Sequence, residues 1–117
     1  MSMDQNLFSL DSSSASRIKR VKIDAGSGGN NTLVAATAGK KIRVFQLLVM
    51  ANGTVNATFQ SGAGGTALTG AMPLALNTGF ASGWGPVGHF ETNAGELLNL
   101  FLSAGVQVSG WLVYALV

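Results

Sequence analysis

Few side chains in this sequence can do chemistry, and their spacing narrows the choice further. The single histidine, His89, stands two residues before Glu91, so on an extended strand the two share a face and form at most a weak cation pair. With no cysteine in the chain, disulfide scaffolds, zinc ribbons, iron–sulfur sites and thiol nucleophiles are excluded. A Ser-His-Asp relay would have to bring Asp4, Asp11 or Asp24 to His89, and there is no G-x-S-x-G turn to present the serine. Glu91 and Glu96 are the one carboxylate pair suited to glycoside hydrolysis, yet they flank the turn-forming Asn93-Ala94-Gly95, a spacing that arises without catalysis. The chain therefore reads as a non-enzyme, with no metal site and no cofactor.

The binding motifs are equally sparse. Gly26-Ser27-Gly28-Gly29-Asn30-Asn31 and Ser61-Gly62-Ala63-Gly64-Gly65 lack the lysine and the following helix of a phosphate loop, so they read as strand connections. The run Arg17-Ile18-Lys19-Arg20-Val21-Lys22 has the charge to follow phosphates but no interleaved aromatic on which bases could stack. Nucleic acid is not an expected partner. All seven basic residues precede residue 44, giving that part a formal charge of +4, whereas the rest carries only Glu91 and Glu96. A basic end of this kind either meets an acidic surface or solubilises an edge strand. Trp84, in Gly83-Trp84-Gly85-Pro86, reads either as a sugar-stacking platform on a loop or as a cap on the core.

The elements that must position these residues follow from composition and period. At 117 residues the chain is one domain's worth, and its 10% charged residues lie far below the usual roughly 25%, so part of its surface is expected to be covered by a partner. Strands are predicted over 17–24, 32–38, 41–51, 54–61, 67–76, 87–92, 97–103 and 106–117, with turn residues between them and no helix of three turns. Eight short strands at this spacing predict an all-β sandwich or barrel. Asn52-Gly53 between two apolar runs predicts a type I′ hairpin. Val55, Ala57 and Phe59 alternate with polar residues, as on a sheet with one wet face.

Two segments break that rule. Ile42, Val44, Phe45, Leu47, Leu48, Val49 and Met50 are apolar on both faces. In the last strand Val106, Val108, Leu112, Tyr114 and Leu116 are placed toward the core, which leaves Trp111, Val113, Ala115 and Val117 outside. Apolar outer faces in a small sandwich imply association with other chains. Residues 97–117 are uncharged and long enough to cross a bilayer, but Asn99, Ser103, Gly105, Gln107, Ser109 and Gly110 divide them into two strands, so no membrane is expected. Residues 1–16 are polar apart from Leu7, Phe8 and Leu10 and carry no secretory signal, so the expectation is an extended arm on a protein made in the cytoplasm.

From Lys41 onward the chain resembles the small jelly-roll capsid decoration, or cement, proteins of tailed bacteriophages. The resemblance rests on the order and spacing of short pieces: Phe59-x-Ser61-Gly62, Leu68-Thr69-Gly70, Pro73-Leu74, Gly88-His89-Phe90-x-Thr92, Gly95-Glu96-x-Leu98-x-Leu100 and Val108-x-Gly110-x-x-x-Tyr114. Residues 1–40 have no counterpart in it. It implies an eight-stranded jelly-roll-like sandwich over 17–117 preceded by the arm 1–16. It further implies a virion protein, synthesised in the host cytoplasm, that binds the major capsid protein on the outer surface of the head as a homotrimer. On this expectation Leu7, Phe8, Leu10, Arg17, Lys19, Arg20 and Lys22 meet the capsid, and Trp111, Val113 and Tyr114 form the contact between subunits. The alternative is a carbohydrate- or receptor-binding module of a phage tail or head fibre, with Trp84 on the glycan.

Overall fold

Alternation of small apolar and polar residues, with glycine at the breaks, favours strands throughout. The computed structural model, which describes residues 18–117, contains ten of them among the described residues. They are β1 (Ile18–Ala25), β2 (Gly29–Val34), β3 (Ile42–Ala51), β4 (Val55–Ser61), β5 (Thr66–Ala67), β6 (Met72–Leu74), β7 (Thr78–Ser82), β8 (Phe90–Glu91), β9 (Leu98–Leu102) and β10 (Val108–Leu116). They form two antiparallel sheets. The front sheet runs β1-β10-β3-β7 with β8 also on β3, and the back sheet runs β2-β9-β4-β5 with β6 also on β4.

The two sheets bury their facing side chains against each other as a β-sandwich. Ile23, Ile42, Val44, Leu47, Val49, Val108 and Leu112 from the front pack with Val55, Ala57, Phe59, Leu98, Leu100 and Leu102 from the back. Phe59 of β4 meets Phe90 of the short strand β8 at a centroid distance of 5.1 Å, a contact between the two sheets. In β4 the alternation is as expected: Val55, Ala57, Phe59 and Ser61 are buried and Asn56 is exposed.

β3 changes face partway along. Val113 of β10 pairs with Gln46 and Tyr114 with Val44, so Phe45 is an extra residue, a β-bulge. Before the bulge Ile42 and Val44 point inward; after it Leu47, Val49 and Ala51 do. The apolar run of this strand thus serves the core with two parities and leaves Phe45, Leu48 and Met50 for the other side.

Four expectations are corrected. Asn52-Gly53 is no hairpin, because β3 is already flanked by β10 on one side and β7 and β8 on the other, so the chain crosses to the back sheet there. Neither residue has positive φ, and Asn52 N–H donates to Gln107 O at 2.9 Å. β2 begins earlier than the predicted 32–38, since Gly29 takes a φ of 91° and the Asn31 amide fixes the preceding loop by donating to Ser27 O at 2.8 Å. The predicted strand 67–76 is split into β5 and β6. β7, in Thr-Gly-Phe-Ala-Ser, was not expected at all, because it has too few large apolar side chains to show a period.

Gly110 sits in β10 with a φ of 151°, and a Cβ there would overlap the Leu48 carbonyl. Gly110→Ala should therefore lower stability by roughly 1–3 kcal/mol in urea unfolding. Gly70, with open space around it, is the control; Gly70→Ala should stay within about 0.5 kcal/mol.

Candidate functional site

The register places the outward side chains of the front sheet in rows. Lys22, Trp111, Leu48 and Ala81 form one row across β1, β10, β3 and β7. Asp24, Ser109, Met50 and Gly79 lie on one side of it. On the other side come Arg20, Val113 and Gln46, and then Ile18, Ala115, Arg43 and Glu91. Trp111 and Val113 are half-buried, while Ile18 and Met50 are 44% and 42% exposed with nothing over them among the described residues. The result is an apolar sheet face with Arg20 and Lys22 along one edge.

Not all the expected residues meet here. Trp111 and Val113 share this face; of the predicted outward pair, Ala115 lies in the row of Ile18 and Arg43 but is buried, and Val117 follows the end of β10 with its backbone paired to Lys41. Tyr114 does not share the face: it is paired with Val44 and packs against the core, because alternation turns it away from its neighbours. Arg20 and Lys22 border the face, whereas Lys19 is paired with Tyr114 and so belongs to the opposite side of β1. Leu7, Phe8, Leu10 and Arg17 lie outside the described residues.

Trp84 stands in the loop between β7 and β8, half exposed and stacked on Phe45 at 5.1 Å with 25° between the rings. The bulge is what receives this loop. Gly85 N–H donates to Phe45 O at 3.0 Å and His89 N–H to Val44 O at 2.7 Å. The His89 ring nitrogen Nε2 lies 2.8 Å from Gly83 O, and since a carbonyl only accepts, Nε2 carries the proton. Phe45 is consequently buried although it stands apart from the core.

The three candidate reactive groups are each engaged separately. Glu91 accepts from Arg43 Nε at 2.8 Å and from Lys41 Nζ at 3.3 Å. The Arg43 hydrogen bond, with Lys41 assisting and burial opposing, holds the Glu91 carboxyl below the usual carboxylate range. Glu96 accepts from Ser61 Oγ and from Asn93 Nδ2, closing the turn before β9. His89 and Glu91 therefore do not converge, and no group of three metal-ligating side chains occurs among the described residues.

Sequence reasoning missed the polar centre of the back sheet. Asn99 is fully buried on the side of β9 away from the core. Its Nδ2 donates to Asn30 Oδ1 at 2.9 Å and Gln60 Oε1 at 2.8 Å, while its Oδ1 accepts from Asn31 N–H at 2.8 Å. The available signal was one polar residue between Leu98 and Leu100, which period alone reads as a solvated position. No described helix is long and apolar enough to cross a membrane. Comparison with protein families, curated proteins and solved structures returns no match to this chain.

The Glu91 arrangement has a defined pH dependence. A carboxyl whose folded pKa lies below its unfolded value stabilises the fold above the unfolded value, about 4.5, and that contribution is lost as pH falls through the folded pKa. Because Glu91 is about one-third exposed, solvent screening keeps the effect small. Glu91→Gln should cost under about 1 kcal/mol at pH 7, and the difference from the parent in urea midpoints should vanish at acid pH.

Proposed function

We propose that this protein is a non-enzymatic structural component of a tailed-phage virion. It is a decoration, or cement, protein on the outer surface of the head, bound to the major capsid protein in sets of three. The observation that carries this reading is the apolar outer face of the front sheet, centred on Trp111, Val113, Leu48 and Met50 and covered by none of the described residues, in a chain with very few charges. Such a face fits a protein whose working state is an assembly.

The strand order supports the finer, jelly-roll form of the fold. With β5 and β6 counted as one interrupted strand, and β7 and β8 as another, two four-stranded sheets remain whose order interleaves early and late strands. This is the pattern of two nested Greek keys. Some of the short pieces on which the resemblance to cement proteins rests hold structure here, among them the loop of Gly88-His89-Phe90 on the bulge and the turn of Gly95-Glu96.

The mechanism is thermodynamic. A protein that binds the assembled lattice and not separated subunits stabilises the lattice by mass action, and several attachments per trimer multiply weak contacts. Leu7, Phe8 and Leu10 of the arm 1–16 provide apolar anchors on the shell; Arg17, Arg20 and Lys22 provide charge toward an acidic surface, and Lys19, on the other side of β1, does not share that contact. Trp111 and Val113 form the contact between neighbouring subunits. Neither nucleic acid nor membrane takes part. The second reading is a carbohydrate- or receptor-binding module of a tail or head fibre, favoured by the half-exposed Trp84 held on a closed loop.

Quantitative mass spectrometry of purified particles tests the choice. One copy per major capsid subunit, or a simple fraction of that, is expected for lattice decoration; a handful of copies assigns the protein to a tail or fibre, and its absence removes the structural reading. Replacing Leu7, Phe8 and Leu10 together by serine should abolish binding to isolated shells while the sandwich still unfolds cooperatively. Unchanged binding would reassign the anchor.

A further inference from the structure

We infer that the outer face of the back sheet binds an uncharged, β-linked glycan chain of gluco configuration, with Phe101 under one sugar ring and the side-chain amides of Asn30 and Gln60 donating to hydroxyl oxygens of the sugar. The register brings these groups together. Asn30, Phe101 and Thr58 form one outward row across β2, β9 and β4, and Thr32, Asn99 and Gln60 form the next, about 7 Å further along the strands. Phe101, at 37%, is the one exposed large apolar side chain on the five strands of this sheet, and Asn30 directly beside it is exposed as well.

The amide orientations carry the argument, because a backbone N–H fixes them. Asn31 N–H can only donate, so the atom of Asn99 that it meets at 2.8 Å is Oδ1, and the other end of that amide is Nδ2. Nδ2 has two hydrogens and gives them to Asn30 at 2.9 Å and to Gln60 at 2.8 Å. Both receiving atoms are therefore oxygens, which turns the NH2 groups of Asn30 and Gln60 away from Asn99. Neither NH2 group meets an acceptor among the described residues. Asn99 itself is fully buried, so two unused donors are held from beneath on either side of β9, next to the exposed ring. Holding them in advance lowers the ordering cost of binding.

The ligand class follows from what the face offers and lacks. β2, β4, β5, β6 and β9 contain no Lys, Arg, His, Asp or Glu, so an ion placed there would lose water without gaining a counter-charge. A protein partner would want a wider apolar centre than one phenyl ring. A β-linked gluco pyranose needs no more than that. All its ring hydrogens are axial and give it apolar faces that stack on an aromatic ring, while its equatorial hydroxyls reach sideways to accept from amides. The contact is separate from Trp84, which stacks on Phe45 over the bulge of the front sheet. An open sheet face holds one sugar weakly, and several copies on one particle would add by avidity. That gain rests on the proposed function, whereas the site does not.

The test is an amide chemical-shift titration of the full isotope-labelled chain with cellotetraose and with tetra-N-acetylchitotetraose, and with the tetraglucuronate made by oxidising cellotetraose as the charged comparison. At least one neutral tetrasaccharide should shift the amides of Asn30, Gln60 and Phe101 in a saturable way. Phe101→Ala should weaken that binding roughly tenfold. Asn30→Asp and Gln60→Glu each keep an oxygen for Asn99 Nδ2 and lose the outward donor, so each should weaken binding roughly three- to tenfold while the urea midpoint stays close to the parent's. Unchanged binding in both of these variants overturns the proposal. No shift with either neutral sugar, or equally tight binding of the tetraglucuronate, also overturns it. Shifts confined to the loop of Trp84 overturn it and assign the sugar to that residue. Shifts across β2, β4 and β9 that appear with protein concentration and without sugar overturn it too, since a second copy then occupies the face. The copy number in particles has no bearing on any of these outcomes.

Discussion

One residue too many in β3 organises the front half of the molecule. Because Phe45 has no partner on β10, the strand presents Ile42 and Val44 to the core before it and Leu47, Val49 and Ala51 after it. Without that change of parity, either the first or the second half of the strand would turn its large side chains away from the back sheet. The bulge also frees the carbonyls of Val44 and Phe45 to accept from the loop that carries Trp84 and His89. The core, the position of the loop and the apolar outer face all follow from the same local irregularity.

The chain has few charges, and it organises its polar interior with neutral groups instead. Thr92 Oγ1 accepts from Ile42 N–H, Ser61 Oγ accepts from Asn93 N–H, and Asn99 joins three strands of the back sheet through its neighbours. Each of these groups is buried and hydrogen-bonded, which avoids the cost of an unpaired polar atom without the desolvation of an ion. The Arg43–Glu91–Lys41 cluster sits where water still reaches it. The two outer surfaces consequently differ in kind: one is apolar with a basic edge, the other is made of amides, hydroxyls and the exposed ring of Phe101.

That difference bears on the proposed role. A lattice-bound protein needs a surface for its neighbours. The apolar face of the front sheet, with Arg20 and Lys22 along its edge, is the surface on which the proposed assembly would rest. Three of the few titratable side chains hold local structure: His89 closes a loop, Glu91 pairs with cations, and Glu96 closes a turn.

Much of this architecture was legible in the sequence because strand periodicity is a local property. The all-β class, the wet face of β4 and the outward placement of Trp111 and Val113 follow from side chains alternating every second residue. Pairing is not local. Whether Asn52-Gly53 closes a hairpin depends on which strands already occupy the edges of β3, and the existence of β7 depends on a partner strand and not on its own weak pattern. For the candidate site, the sequence supplied the apolar positions and the basic run, but only the register separates Lys19 and Tyr114 from Arg20, Lys22, Trp111 and Val113. Asn99 makes the same point from the other side, since a buried amide looks like a solvated one until the strands beside it are known. The sequence by itself determined which residues alternate and where the chain can turn. The tertiary structure alone decided which strands meet, because pairing is fixed by the mutual burial of segments far apart in the chain.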